Sequence, residues 1–332
     1  MGNCTILVAG AGGFIGGHLT SMLRSRGDRP IRAVDVKPLD EWYQVVPDVE
    51  NLSLDLSERQ SSMTACEGVG DVYQLAADMG GMGFIEGNRT ACMLNVLITT
   101  HLLMAARERG VGRFFYASSA CVYNLGKQSE RDAVPLKEED AYPAMPEDGY
   151  GWEKLFSERM CRHFTEDHGI VTRVVRLHNV YGPHGTWDGG REKAPAAICR
   201  KVAAAVVEGT GEIEIWGDGT RTRSFMFIDD CVTGIDKVMN SDIDDPINLG
   251  SAETVTVDQL VDTVEAVAGT TLERRYILDA PKGVACRSSD NTMIRDRLGW
   301  EPGTKLRDGI EITYRWIFDQ YTRRARGERV VS

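Results

Sequence analysis

The sequence predicts an α/β protein with a doubly wound parallel sheet and a smaller, interleaved C-terminal α/β domain. Two observations predict this fold. A short apolar run at residues 5–10 leads through glycines 10, 13 and 16 into a helix-like run at residues 14–26. Strand-like and helix-like runs then alternate through the first half of the chain. Repeated βα units of this kind form parallel sheets with helices on both faces.

The other elements follow from hydrophobic periodicity and from turn residues. The predicted strands are rich in β-branched and aromatic side chains, and they are residues 31–36, 51–56, 71–77, 113–118, 171–177 and 273–278, with a further strand that ends at residues 228–230. The predicted helices are residues 89–109, 150–168, 257–268, 291–298 and 306–324, with a further helix after Pro195 that runs through Lys201.

The two domains are expected to be interleaved, because residues 228–249 have the pattern of a return to the main sheet. We therefore assign residues 1–180, together with 225–250, to a Rossmann-type nucleotide-binding domain. Residues 181–224 and 251–325 form the predicted substrate-binding domain.

Composition argues against several kinds of partner. The formal net charge of -11 disfavours nucleic acid and anionic membranes. We expect no membrane helix, because no apolar run reaches the roughly 18 residues that one requires. The eight cysteines contain no Cys-x-x-Cys pair and the histidines show no metal-binding spacing, so we expect reduced thiols and no metal. With no leader-like segment at the start, we expect a cytoplasmic protein.

The glycine loop predicts a dinucleotide site, because backbone N–H groups and the dipole of the following helix bind a pyrophosphate. Asp35 lies near the end of the second strand, where a carboxylate binds ribose hydroxyls and repels a 2′-phosphate. We therefore expect NAD rather than NADP, with Asp55 at the adenine edge. The predicted cofactor contacts are Gly10, Gly13, Phe14, Ile15, Gly16, Asp35, Asp55, Leu75, Ala76, Tyr150 and Lys154.

Tyr150 and Lys154 are four residues apart and share one face of a predicted helix. An ammonium beside the phenol favours the phenolate and moves its pKa from about 10 towards neutrality, so Tyr150 can act as a base. Ser119, at the end of the fifth strand, can bind a substrate hydroxyl. Cys121 is expected in the same cleft. A lone cysteine is more often a buried apolar residue, but this one is the only cysteine beside the proposed site.

The second half of the chain predicts a site for a diphosphate. Arg221 and Arg223 are two apart and share one face of a strand, and with Arg287 they form a positive pocket in an acidic protein. Paired guanidinium groups suit a diphosphate, because each binds two oxygens. Two glycine-rich segments complete the cleft: residues 78–84 over the nicotinamide, and residues 189–195 as a binding loop or a solvated turn.

Together, the glycine loop, Asp35, Ser119, Tyr150 and Lys154 resemble the extended short-chain dehydrogenase/reductase family of nucleotide-sugar epimerases and dehydratases. The resemblance covers nearly the whole chain. Several longer motifs look more specifically like those of GDP-mannose 3,5-epimerases, namely residues 76–84, 118–121, 190–197, 216–219 and 223–225.

The resemblance implies a mechanism. Tyr150, assisted by Lys154, takes the proton of the hexose 4-hydroxyl while hydride passes from carbon 4 to NAD, and Ser119 binds that hydroxyl. The resulting ketone acidifies the neighbouring C–H groups, and Cys121 and Lys193 exchange protons on opposite faces before the hydride returns. The implied contacts to a nucleotide-diphosphate hexose, most simply GDP-mannose, are Gly80, Gly81, Ser119, Ala120, Cys121, Asn179, Glu192, Lys193, Ala194, Lys201, Arg221, Arg223 and Arg287.

Three other functions stay open. A 4-epimerase acting on a UDP- or GDP-sugar would not need Cys121. A 4,6-dehydratase is disfavoured, because residues 120–121 stand where such enzymes carry an Asp-Glu pair. A non-catalytic NAD-binding sensor is also disfavoured, because it has no use for Tyr150, Lys154 and Lys193.

The resemblance further implies a homodimer that pairs residues 89–109 and 151–168 with their copies as a four-helix bundle.

Overall fold

The structure is a computed structural model that describes residues 4–27, 29–129, 134–280 and 283–331. Strands and helices alternate through its first half: β1 (Thr5–Ala9), α1 (Phe14–Arg26), β2 (Ile31–Asp35), β3 (Glu50–Ser53), α2 (Arg59–Ala65), β4 (Val69–Gln74), α3 (Met82–Gly87), α4 (Arg89–Arg109), β5 (Arg113–Ser119), α5 (Asp148–His168) and β6 (Val171–Leu177). Shorter strands and further helices make up the second half: β7 (Val180–Tyr181), α6 (Ala194–Glu208), β8 (Glu212–Trp216), β9 (Thr222–Ser224), β10 (Met226–Phe227), α7 (Ile228–Met239), β11 (Ile247–Leu249), β12 (Thr254–Thr256), α8 (Val257–Ala268), β13 (Glu273–Ile277), β14 (Cys286–Arg287), α9 (Thr292–Leu298) and α10 (Leu306–Ala325).

Among the described residues, the central sheet has seven strands in the order β11-β6-β5-β4-β1-β2-β3, and all of its pairs are parallel. Helices α1 and α7 pack on one face, and α2, α4 and α5 pack on the other. The chain reverses its direction of travel across the sheet between β1 and β4, which is the point where α/β proteins bind ligands. The predicted doubly wound α/β fold is therefore confirmed.

A smaller layer sits beyond the carboxyl ends of these strands. Helices α6, α8 and α10 pack on one another, β8 pairs with β13, and β9 lies between β12 and β14. Between its parts the chain returns to the main sheet, where α7 packs on the sheet and β11 pairs with β6. The domain boundaries given above stay predictions.

One predicted strand end is wrong. Residues 228–230 begin helix α7 instead of ending a strand, and the strand before them is only the two-residue β10. Asp229 and Asp230 occupy the first turn of the helix, where carboxylates are favoured by the positive end of the helix dipole. Ile228 is fully buried and joins the core at that point.

Helix α4 corrects the expectation that no apolar segment is long enough to cross a membrane. By length and composition it could cross a membrane, with a mean hydropathy of 1.2 over its most apolar window. That is weak evidence, because core helices of soluble proteins pass the same test. Here one face of α4 packs against α2 and α5 and buries Leu102, Leu103 and Ala106.

Arg176 on β6 and Glu158 on α5 form an ion pair between the sheet and the helix layer. The guanidinium donates two hydrogen bonds to the carboxylate, at 2.9 and 2.8 Å, and both side chains are only 3% exposed. Ser118 donates a third hydrogen bond to Glu158, at 2.5 Å. The pair connects the two layers that position the candidate site.

We predict that Arg176→Met lowers the free energy of unfolding by roughly 3–5 kcal/mol, because the Glu158 carboxylate is left buried without its cation. Urea unfolding followed by circular dichroism measures this change. The control is Arg162→Met, whose exposed pair with Glu166 on the same helix should contribute less than about 1 kcal/mol. Equal losses of unfolding free energy in the two variants would contradict a stabilising role for the buried Arg176–Glu158 pair.

Candidate active site

A cavity of about 710 Å³ lies where the carboxyl ends of β1, β4, β5 and β6 meet. Every residue predicted to contact the cofactor lines it: Gly10, Gly13, Phe14, Ile15, Gly16, Asp35, Asp55, Leu75, Ala76, Tyr150 and Lys154. Of the residues predicted for the sugar, Gly80, Ser119 and Lys193 also line it. The size and the convergent polar groups are those of a small-molecule site.

The glycine turn between β1 and α1 leaves no room for side chains. A Cβ on Gly16 would lie 2.0 Å from the Gly10 oxygen, and a Cβ on Gly10 would lie 2.7 Å from the Ala76 nitrogen. Gly10 has a φ of +87°, which glycine adopts readily. Helix α1 begins at the cavity, and its first turn contains no acidic residue that would repel a phosphate. This cradle fits the pyrophosphate of a dinucleotide.

Asp35 is buried at the end of β2 and its carboxylate is fixed by two backbone donors. Gly12 N donates to Oδ2 and Lys37 N donates to Oδ1, each at 3.1 Å. Asp55 lines the same end of the cavity, with Oδ1 accepting from Ser57 N at 2.8 Å. A carboxylate held in this way fits the ribose hydroxyls of NAD and disfavours a 2′-phosphate.

Tyr150 and Lys154 lie on the buried face of α5, as their spacing predicts. The Lys154 ammonium is 5.6 Å from the centre of the Tyr150 ring and 3.8 Å from Glu153 Oε2. Burial, and then Cys121 and Glu153, raise the pKa of Tyr150 well above its usual value, while a hydrogen bond with Ser119 opposes them. The expected lowering of this pKa is thus wrong for the chain alone, because burial has the largest effect on it and raises it.

Cys121 lies in a short 3₁₀ turn, Ala120–Val122, that directly follows β5. Ser119 Oγ caps this turn by accepting from Cys121 N at 3.2 Å. The thiol is buried, and its Sγ is 3.5 Å from a guanidinium nitrogen of Arg287. Burial raises the pKa of Cys121, and the positive charge of Arg287 opposes that rise.

Arg287 is buried and held by protein groups on three of its nitrogens. It donates to Glu147 Oε2 and to Gln128 Oε1, each at 2.7 Å, in addition to the Cys121 sulfur. The structure therefore places this predicted diphosphate ligand against the thiol. Sequence reasoning missed Glu147 and Gln128, because no local pattern connects residues more than a hundred positions apart.

The three predicted arginines are brought together, although none lines the cavity within the described residues. Burial, followed by the nearby charges of Arg287 and Arg221, lowers the pKa of Arg223 to about 10. Arg221 donates to the carbonyls of Gly283 and Val284, at 2.7 and 2.8 Å. Their role towards a diphosphate stays a prediction.

Asn179 and Lys201, also predicted for the substrate, lie on the side of the smaller layer. Asn179 donates to the Ser224 carbonyl at 3.3 Å. The Lys201 ammonium donates to the Glu214 carbonyl at 2.8 Å and sits 5.6 Å from the centre of the Trp216 ring. Neither side chain lines the cavity in the part of the chain that the structure describes.

The two glycine-rich loops meet at the cavity. Gly81 N donates to the Arg191 carbonyl at 3.0 Å, and the Arg191 guanidinium donates to Asp78 at 2.6 Å. That guanidinium also lies 3.8 Å from the centre of the Phe84 ring. A Cβ on Gly80 would lie 2.8 Å from Phe84, so only glycine allows this approach.

The second of these loops delivers Lys193 to the cavity as the residue before helix α6. Burial lowers the pKa of its ammonium, and the charge of Cys121 opposes that shift. The two groups are thus close enough to interact electrostatically. Ala194 follows as the first residue of α6, and Glu192 accepts from Gly190 N at 2.7 Å and from Arg200 at 3.1 Å.

The family model described as NAD dependent epimerase/dehydratase matches residues 6–250. GDP-mannose 3,5-epimerase 1 of Oryza sativa subsp. japonica is 47% identical over 316 residues, which cover 95% of this chain and 82% of that protein. GDP-mannose 3,5-epimerase of Arabidopsis thaliana is 44% identical over 330 residues, which cover 99% of this chain and 86% of that protein.

Solved structures of nucleotide-sugar enzymes share the fold. UDP-glucose 4-epimerase from Thermotoga maritima, crystallised with UDP-glucose, superimposes with a TM-score of 0.84 at 24% identity and covers 95% of this chain and 99% of its own. UDP-glucose 4-epimerase from Thermus thermophilus, in complex with NAD, gives a TM-score of 0.80 at 20% identity. The match covers 94% of this chain and 98% of that one.

We predict that Gly16→Ala weakens NAD binding roughly tenfold or more, because its Cβ would open the turn that forms the cradle. Calorimetric titration with NAD⁺ measures the change. The matched control is Gly17→Ala, whose Cβ would have no atom nearer than Gln44 Nε2 at 3.2 Å, Gln44 Cβ at 3.3 Å and Ala11 O at 3.4 Å. Unchanged NAD affinity in Gly16→Ala would contradict the placement of the pyrophosphate.

Proposed function

Because this enzyme belongs to the NAD-dependent epimerase/dehydratase family, we propose that it is a GDP-mannose 3,5-epimerase. The observation that carries the proposal is that Ser119, Tyr150 and Lys193 line one cavity, with Cys121 two residues beyond Ser119 and its backbone N–H bonded to the Ser119 hydroxyl. An epimerase acting at carbon 4 alone has no use for Cys121 and Lys193. The similarity to GDP-mannose 3,5-epimerases over nearly the whole chain supports the same substrate.

Tyr150 and Ser119 are the groups that handle the hexose 4-hydroxyl. When bound by the glycine cradle and Asp35, NAD⁺ supplies a hydride acceptor for carbon 4 that later returns the hydride. Tyr150 accepts the hydroxyl proton, and Ser119 orients the hydroxyl by a hydrogen bond. Since burial holds the phenol pKa high, the charge of Lys154 on the same cavity wall is needed to stabilise the phenolate.

Cys121 and Lys193 are the groups that exchange protons at carbons 3 and 5. A ketone at carbon 4 acidifies the C–H bonds on both sides, and inversion requires a base on one face and an acid on the other. Arg287, at 3.5 Å, favours the thiolate of Cys121 as the base. Burial lowers the pKa of Lys193, which eases release of its proton as the acid.

We predict that the enzyme, incubated with GDP-mannose in deuterium oxide, places deuterium on carbons 3 and 5 of the sugar, because protons removed there are replaced from solvent. Proton NMR of the nucleotide sugars measures the label. Cys121→Ala should lose at least about a hundredfold in label uptake, since a positioned base contributes that much.

The control is Cys161→Ala, which removes a buried thiol from helix α5 without touching the cavity. It should label the sugar at the rate of the unmodified protein. Inversion at carbon 4 with no label at carbon 3 or 5 would replace our proposal by a 4-epimerase. Bound NAD with no change in any nucleotide sugar would favour a non-catalytic sensor.

We also propose a homodimer built on helices α4 and α5. Their outer faces carry large apolar side chains that are 39–53% exposed: Met93, Leu97, Trp152 and Phe156. The two helices already pack against each other, so two copies would bury these side chains in a four-helix bundle.

We predict that Phe156→Asp converts a dimer into a monomer at micromolar concentration, because a carboxylate would be buried in the bundle. Analytical ultracentrifugation measures the mass. Ile312→Asp, at a comparably exposed position on α10, should leave the dimer intact. If the unmodified protein sediments as a monomer, the proposal fails.

We propose a cytoplasmic location as well. Cys4, Cys66, Cys92, Cys121, Cys161, Cys199 and Cys231 are free thiols, and all of them except Cys4 are buried. Free thiols persist in a reducing compartment, which supports this assignment. The net charge of -11 likewise supports a small anionic ligand held by local arginines over nucleic acid as the partner.

A further inference from the structure

His178 is a buried residue of the cavity wall for which the mechanism above has no use. It directly follows β6, next to Leu177, which pairs with Ser119 across the sheet. Its backbone N–H donates to the Leu249 carbonyl at 3.0 Å, and the residue is only 2% exposed. It lines the same cavity as Ser119, Tyr150 and Lys193.

The hydrogen bonds around His178 determine which ring nitrogen carries the proton. The Asn248 amide nitrogen donates to the carbonyls of Leu136 and Asp290, at 2.8 and 3.3 Å, so the amide oxygen faces the other way. That oxygen accepts from the Tyr123 hydroxyl and lies 3.0 Å from His178 Nε2. Because an amide oxygen only accepts, Nε2 must carry a hydrogen.

The ring is neutral at physiological pH, because burial lowers the pKa of His178 to about 4 and the nearby cations of Arg287 and Arg176 reinforce the shift. With the proton on Nε2, Nδ1 carries a lone pair and can only accept.

Nδ1 is fully buried and has no hydrogen-bond partner among the residues that the structure describes. The neighbouring guanidinium groups donate elsewhere: Arg176 to Glu158 and to the Glu138 carbonyl, and Arg287 to Glu147, Gln128 and Cys121. Buried acceptors are rarely left without a donor in folded proteins, because an unpaired one is costly.

We infer that His178 Nδ1 accepts a hydrogen bond from a neutral N–H or O–H group of the bound small molecules. Two groups supply this chemistry: the carboxamide of the nicotinamide and a hydroxyl of the hexose. A phosphate or a carboxylate is excluded, because neither offers a proton to a lone pair. The hexose alternative rests on the proposed function, whereas the carboxamide alternative needs only NAD.

Two isosteric variants separate the roles of the ring nitrogens. In His178→Asn the side-chain oxygen can take the place of Nδ1, and the contact to Asn248 is lost. In His178→Gln the side-chain nitrogen can take the place of Nε2, and the acceptor is lost. We expect the Gln variant to bind its ligand about tenfold more weakly, as for loss of one buried hydrogen bond, and the Asn variant to bind nearly as the unmodified protein does.

Calorimetric titrations with NAD⁺, with its 3-acetylpyridine analogue and with GDP-mannose measure these affinities without relying on turnover. If the carboxamide is the donor, the unmodified protein prefers NAD⁺ to the analogue, which lacks the amide hydrogens, and His178→Gln loses that preference. If a hexose hydroxyl is the donor, only GDP-mannose binds more weakly to His178→Gln.

Both of these results support the inference. Unchanged affinities for all three ligands in His178→Gln would overturn it, and so would equal weakening in both variants with equally lowered melting temperatures, which indicates a structural role alone. If the protein does not epimerise GDP-mannose, the cofactor titrations still decide the carboxamide alternative.

Discussion

Parallel pairing of β1, β4, β5 and β6 is the constraint on which the candidate site depends. Since these strands run in the same direction, their carboxyl ends meet at one edge of the sheet. Gly10 follows β1, Ser119 ends β5 and His178 follows β6, and the fold brings all three to one cavity. A register slip of one residue would turn Ser119 to the opposite face of the sheet. The position of the chemistry is therefore set by backbone hydrogen bonds in the core.

Several cations lie close to the cavity although the whole protein is acidic. The chain has a net charge of -11, yet Lys154 and Lys193 line the cavity and Arg287 lies against Cys121. Burial of a cation and of a thiol has opposite effects on their pKa values: it lowers that of Lys193 and raises that of Cys121. Burial therefore makes the thiolate a stronger base and the ammonium a stronger acid, because it disfavours both charged forms.

Local signals predicted much of the fold. The bounds of α1, α4, β6 and α8 agree with the sequence analysis, because left-handed glycines such as Gly27 and Gly110 end the helices and the Thr256 capping box begins α8. The residues predicted for the cofactor all line the cavity, and they could be found because they belong to short motifs. The partners of Arg287 lie 140 and 159 residues away, and the pKa of Tyr150 depends on burial, so neither was visible in a local pattern.

The central claim is that oxidation at carbon 4 and proton exchange at carbons 3 and 5 take place on one sugar that stays in one cavity. GDP-mannose carrying deuterium at carbon 4 tests this claim most directly. In ordinary water, we expect mass spectrometry and NMR to find the deuterium fully retained at carbon 4 of the epimerised products. Loss of that deuterium to the solvent, or its appearance in unlabelled sugar added to the same reaction, would contradict the account.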